Sequence, residues 1–148
     1  MLQPFGGKCN MQLLKSFEQS IAILLFLDRI QSTDYIKAEF IGQQLGYSVS
    51  STKKVISELT NAKMVRSISG PKGGIILNVD IKDISLYDIL IATESKSFFS
   101  IDYCLPKGSF GSEHDQRLVE TNLKKSLRVS ATSFMDHLKD ISIKNLTQ

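Results

Sequence analysis

Cysteine is scarce in this chain: Cys9 and Cys104 are the two it has. Two isolated thiols give neither a disulfide framework nor the paired spacing of a zinc site, and they suit a reducing, cytoplasmic setting. Long hydrophobic runs are lacking too. The apolar stretch from Ile21 to Leu27 stops at Asp28-Arg29, too short to span a bilayer and too deep in the chain for a signal peptide, so no membrane role is expected. Charge of one sign is not in large excess. The formal net charge is +3 and the pI is near 8.8, so composition permits a nucleic-acid partner without demanding one, and the placement of charge must decide. There is no internal repeat and no low-complexity segment. Nor is there a Ser/His/Asp, Cys/His or paired-carboxylate arrangement, and His114 and His137 have no ligand partners at useful spacing. Nothing here argues for an enzyme. The stretch Gly70-Pro71-Lys72-Gly73-Gly74 lacks the lysine-serine ending of a nucleotide P-loop, which excludes ATP binding at that loop.

What the chain does contain is concentrated between Ser48 and Leu77. Val49, Thr52, Val55, Ile56 and Leu59 recur at spacings of three and four, the mark of one helical face, with Ser48 as N-cap. The opposite face carries Ser50, Ser51, Lys53, Lys54 and Ser57. The period then changes to two. Met64–Ile68 and Ile75–Val79 read as strands rich in β-branched residues, joined by the basic turn Gly70–Gly74. A short polar helix feeding a hairpin with a cationic tip is the layout of a winged helix.

The remaining elements fit around it. A helix is expected from Ser16 to Gln31, with Ser16 and Gln19 as a capping box. Its apolar residues lie on nearly every side, which points to burial against more than its own chain. A second helix is expected from Lys37 or Ala38 to Leu45, with Phe40, Ile41 and Leu45 inward and Gly46 at its C-cap. The short link to Val49–Ala62 makes a helix-turn-helix whose second helix enters the major groove. A fourth helix follows, with Ser85 and Asp88 as a capping box and Leu86, Ile89 and Leu90 as its stripe. The last helix starts at Ser112, with Asp115 three residues on, and reaches Lys139, about 25 residues or roughly 37 Å. Its stripe of Leu118, Leu123, Leu127, Ala131, Phe134, Leu138 and Ile141 needs a partner along its length, and a symmetric second copy supplies one. The expected fold is mostly helical with a small β-hairpin. Residues 1–10 are a flexible extension ahead of an alternative start at Met11. Residues 11–94 form a winged helix-turn-helix domain, 95–111 a loop, and 112–148 a dimerisation helix and tail.

With these pieces placed, the chain resembles the Rrf2 family of bacterial transcription regulators. The resemblance covers about residues 11–147. It is most specific over Val55-Ile56-Ser57-Glu58-Leu59, Val65-Arg66-Ser67, Gly70–Gly74, and Asn78 through Ser85-Leu86-Tyr87-Asp88-Ile89 to Glu94. It implies a homodimer with paired long C-terminal helices and two winged heads on double-stranded DNA carrying a near-palindromic operator, acting as a repressor. Iron–sulfur members of that family carry three closely spaced cysteines in the loop before the long helix. Here Cys104 stands alone, and a cluster needs about four ligands, so no iron–sulfur cofactor is expected.

The candidate DNA-contacting residues are therefore Ser50, Ser51, Lys53, Lys54 and Ser57 on the recognition helix, with Lys72 and Gly73 at the wing tip. Ser50 and Ser51 lie at the helix start, where hydroxyls and backbone N–H groups meet phosphate or base edges, and the lysines supply charge. Arg66 either reaches phosphate or covers the sheet. Cys104 is either an oxidant-sensing thiol, with Lys107 and His114 near enough in sequence to favour the thiolate, or a small residue under a loop. The competing reading is a winged helix that binds protein rather than DNA. The outward face of Val49–Ala62 discriminates between the two: basic and hydroxylated favours DNA, although Glu58 runs against it.

Overall fold

The computed structural model describes residues 15–93 and 111–148. The expected N-terminal extension with Cys9, the proposed start at Met11, and the loop residues including Cys104 and Lys107 lie outside them. In chain order the elements are α1 (Lys15–Ile30), α2 (Ala38–Leu45), α3 (Val49–Asn61), β1 (Val65–Ile68), β2 (Gly74–Leu77), a 3-10 turn (Ile81–Asp83), α4 (Leu86–Thr93), α5 (Glu113–Lys139) and a final 3-10 turn (Ile143–Thr147).

The core is built from one stripe of each helix. Ile23, Leu24 and Leu27 of α1, Ile41 of α2, Val55 and Leu59 of α3, and Ile89 and Leu90 of α4 are all buried, and Ile75 and Ile81 close it from the hairpin side. Each such side chain contributes about 1.5–3 kcal/mol on removal from water. Phe40, expected inward, is 47% exposed; its ring instead packs against that of Phe26 at 6.4 Å between centroids. Ala38 and Gly42 take the inward places beside Ile41. Val49, also expected inward, is the first residue of α3 and is 43% exposed.

Capping decides the helix boundaries. The expected box of Ser16 and Gln19 is not formed. The helix already includes Lys15, Ser16 is buried within it, and the Gln19 side chain is engaged elsewhere. The other boxes are present. The Ser85 backbone N–H donates to Asp88 Oδ2 at 2.8 Å while the Asp88 N–H donates to Ser85 Oγ at 3.1 Å, and Ser112 and Asp115 make the same reciprocal pair at the start of α5. Each satisfies two backbone donors that a helix start otherwise leaves without partners. At the C-terminus of α3 the Met64 N–H reaches the Leu59 carbonyl and the Lys63 N–H that of Thr60, a Schellman turn with Lys63 left-handed at φ 60°.

The hairpin pairs Val65 with Leu77, Arg66 with Ile76, Ser67 with Ile75 and Ile68 with Gly74. The second strand was expected to run to Val79, but it ends at Leu77, where the Asn78 side chain turns back to donate to the Lys63 carbonyl at 2.8 Å. On its free edge β2 is bridged by the segment before α2. The Ile36 N–H donates to the Ile75 carbonyl at 2.9 Å, and the Ile75 N–H to that of Ile36 at 2.8 Å. This requires glycine at 74, since a Cβ there would lie within 3 Å of the Ile36 backbone.

The chain end is tied to the same head. Ile143 is fully buried, its N–H donates to the Ile84 carbonyl, and the Leu86 N–H donates to that of Ile141. Lys139 sits over the Tyr87 ring at 4.9 Å. The C-terminal end of α5 is thereby fixed to α4.

Candidate nucleic-acid interface

The α2–α3 corner is tight because position 42 carries no side chain. A Cβ there would meet Thr52 Oγ1 at 2.8 Å and the Tyr47 carbonyl at 3.0 Å. Gly46 ends α2 in a left-handed conformation, and Ser48 then caps α3 by accepting from the Ser51 N–H at 3.2 Å. Thr52 is fully buried in the corner, with its hydroxyl on the Ser48 carbonyl. Thr52, Val55, Ile56 and Leu59 face inward. This leaves Ser50, Lys53, Lys54, Ser57 and Asn61 exposed, at spacings that put them along one outward stripe of α3. Asn61 extends this stripe one turn beyond Ser57, where the run of hydroxyl and lysine side chains that marks it in the sequence ends.

The expected site residues do not all have the same freedom. Ser51 is half-buried and its hydroxyl donates to Gln19 Oε1 at 2.6 Å, so that group joins α3 to α1. Lys53 Nζ lies 2.7 Å from Glu39 Oε1 of α2, with both side chains more than half exposed. The hydrogen bond from Lys53 holds the Glu39 carboxyl below its ordinary value of 4.5, so the pair is intact at neutral pH. Lys54 is 4.0 Å from Glu58, a loose pair of the kind worth little in water. Lys72 has no hydrogen bond or ion pair among the described residues. Gly73 is buried beneath the wing turn, where a side chain would overlap the Ile68 carbonyl, so it shapes the tip and is not itself presented at the surface. Arg66 Nη2 donates to Asn78 Oδ1 at 3.1 Å across the base of the hairpin.

Between α3 and the wing lies an open trough of about 500 Å³, bounded by Lys37, Glu39, Lys53, Ser57, Ser67 and Gly70. Lys37 was read from sequence only as a possible helix start. It is the N-cap residue of α2, and its amine crosses to the wing and donates to the Gly70 carbonyl at 2.7 Å. No local pattern signals that contact, which joins residues 33 positions apart.

Among the described residues no three His, Cys, Asp or Glu side chains gather as a metal site, and no helix is long and apolar enough to cross a membrane.

A tight helix pair, a hydroxylated and basic outward stripe and a hairpin with a free lysine at its tip define a winged helix-turn-helix DNA-binding protein. The chain belongs to the Rrf2 family: the family's model, described as an iron-dependent transcriptional regulator, matches residues 13–148. A relative in Lactococcus lactis, YffB, named as an HTH-type transcriptional regulator, is 29% identical over 137 residues, spanning 93% of this chain and 82% of its own length. Two solved structures share the fold. A transcriptional regulator from Listeria innocua is 25% identical with a TM-score of 0.61, over 97% of this chain and 89% of its own. T. potens IscR is 18% identical with a TM-score of 0.66, over 95% of this chain and 89% of its own. The protein is thus a DNA-binding transcription regulator and not an enzyme, and the expected mostly helical winged fold is the one observed.

Proposed function

We propose that the chain acts as a cytoplasmic homodimeric repressor that places two winged heads on a near-palindromic operator. Residues 11–94 serve as the DNA-binding unit and 112–148 as the dimerisation unit. The observation that supports this is α5. It has 27 residues, none of them buried within its own chain. At about 1.5 Å per residue it is about 40 Å long. Leu123, Leu127, Ala131, Phe134 and Leu138 form a half-buried row along it, while Leu118 and Val129 are more than half exposed. An apolar row of that length is covered most simply by the same helix of a second copy around a two-fold axis. That axis gives the heads the symmetry of an inverted-repeat site. Light scattering at micromolar concentration should give twice the 16.5 kDa chain mass. A clean monomer would refute the dimer and the paired heads with it.

The family's description invokes iron. The whole sequence offers two cysteines and two histidines, too few in any one place for a cluster held by about four ligands. The reading that follows is a cluster-free regulator. An oxidant acting on Cys104, or a small molecule, then supplies the signal.

A further inference from the structure

We propose that Lys37 is a positioning residue for DNA binding: by holding the Gly70 carbonyl it sets the distance between the wing tip and the recognition helix. The inference rests on the wing being part of the DNA-binding face. The base of the wing is fixed by the two backbone bonds between Ile36 and Ile75, described above, but these stop short of the tip. The tip is the turn closed by the Gly73 N–H on the Gly70 carbonyl at 3.0 Å. Lys37 Nζ donates to the same oxygen at 2.7 Å. A carbonyl has two lone pairs, and here one closes the turn and the other ties the turn to α2. The tie is charge-assisted, and so stronger than the backbone bond it shares the oxygen with.

Glu39, the second residue of α2, holds Lys53 of the recognition helix. The first turn of α2 therefore grips the wing with Lys37 and α3 with Glu39, across the trough that separates them. Lys72, two residues beyond Gly70, is the cation whose position depends on that grip. A wing without the Lys37 tie keeps its fold at the Ile75 end and swings at the tip, so Lys72 no longer meets its phosphate in a fixed place.

The test uses the full chain and duplex DNA enriched by the wild-type protein from random sequence. Lys37→Met keeps the length of the side chain and removes the donor. Because the Lys37 amine is at the surface, this variant should melt with the wild type. It should bind the enriched duplex about tenfold more weakly for each head engaged, the order expected for one charge-assisted bond lost per chain. In its background Lys72→Ala should cost little, although it costs the full phosphate contact in the wild type. Without DNA, hydrogen exchange at the Gly73 amide should be about tenfold faster in Lys37→Met, with the Ile36 and Ile75 amides unchanged. Additive penalties for Lys37→Met and Lys72→Ala would make Lys37 a phosphate contact in its own right and overturn the proposal. Unchanged Gly73 exchange would overturn it as well. A wild-type protein that enriches no duplex would instead refute the DNA-binding face, and the exchange experiment would still decide the tie.

Discussion

Removing Lys54 and Lys72 together should flatten the salt dependence of DNA binding by an amount set by the number of phosphates they meet. These two are the least encumbered of the expected cations: Lys54 is 74% exposed and only loosely paired, and Lys72 has no partner among the described residues. If each meets one phosphate in each of two heads, the variant gives up four contacts. At about 0.9 per phosphate the slope of log K against log salt falls by about 3.6. Over a fourfold rise in salt, from about 50 to about 200 mM, the wild type should lose about 150-fold more affinity than Lys54→Ala/Lys72→Ala. The assay is fluorescence anisotropy on one labelled duplex across the salt series, with both proteins checked for the same melting temperature. Because phosphate contacts carry no sequence information, the preferred sequence should stay the same. Equal slopes for the two proteins would refute the reasoning and remove this face from the DNA.

Four further outcomes follow. Glu39→Gln frees Lys53 and removes a carboxylate from the face, so DNA binding should tighten and its salt slope steepen by about 0.9 per chain; an unchanged slope would show that Lys53 stays off the DNA. The Glu39 carboxyl is held below its ordinary 4.5, so its pairing is present above that pH and lost only as pH falls through the lower folded value; titration of Glu39 should leave binding between pH 6 and 8 unaffected. Gly42→Ala should destabilise the head by about 1–3 kcal/mol in urea unfolding, since the new methyl meets Thr52 Oγ1 and the Tyr47 carbonyl; a neutral result would mean the corner opens freely. If Cys104 is the sensor, mild peroxide should release the wild type from DNA while Cys104→Ser stays bound, and equal behaviour would pass the role to a small molecule.

Much of the head was legible in the sequence because its signals are local. The three-and-four spacing of Thr52, Val55, Ile56 and Leu59, the cap at Ser48, the boxes at Ser85 and Ser112 and the glycine-rich turn each depend on residues within a few positions. The misreadings share a cause. Periodicity gives the width of an apolar face but not how far the neighbouring element extends, so Phe40 and Val49 were placed inward and are half exposed. Ser16 and Gln19 match a capping box by type, but the helix includes Lys15 and Gln19 takes the Ser51 hydroxyl from 32 residues away. The same contact removes Ser51 hydroxyl from the outward stripe. Lys37 and Gly70 and the Ile36–Ile75 bridge likewise join segments far apart in sequence, and no spacing rule encodes them. Candidate site residues are thus suggested by face and charge, while their partners need the fold.

The claim that two winged heads read DNA as a pair is tested most directly by selecting bound duplexes from random sequence and mapping the enriched motif. The expected motif has two inverted half-sites with centres about one helical turn apart, or a multiple of it, at about 10–10.5 base pairs per turn, with two chains on each bound duplex. A single half-site bound by one chain, or no enriched sequence, would contradict it.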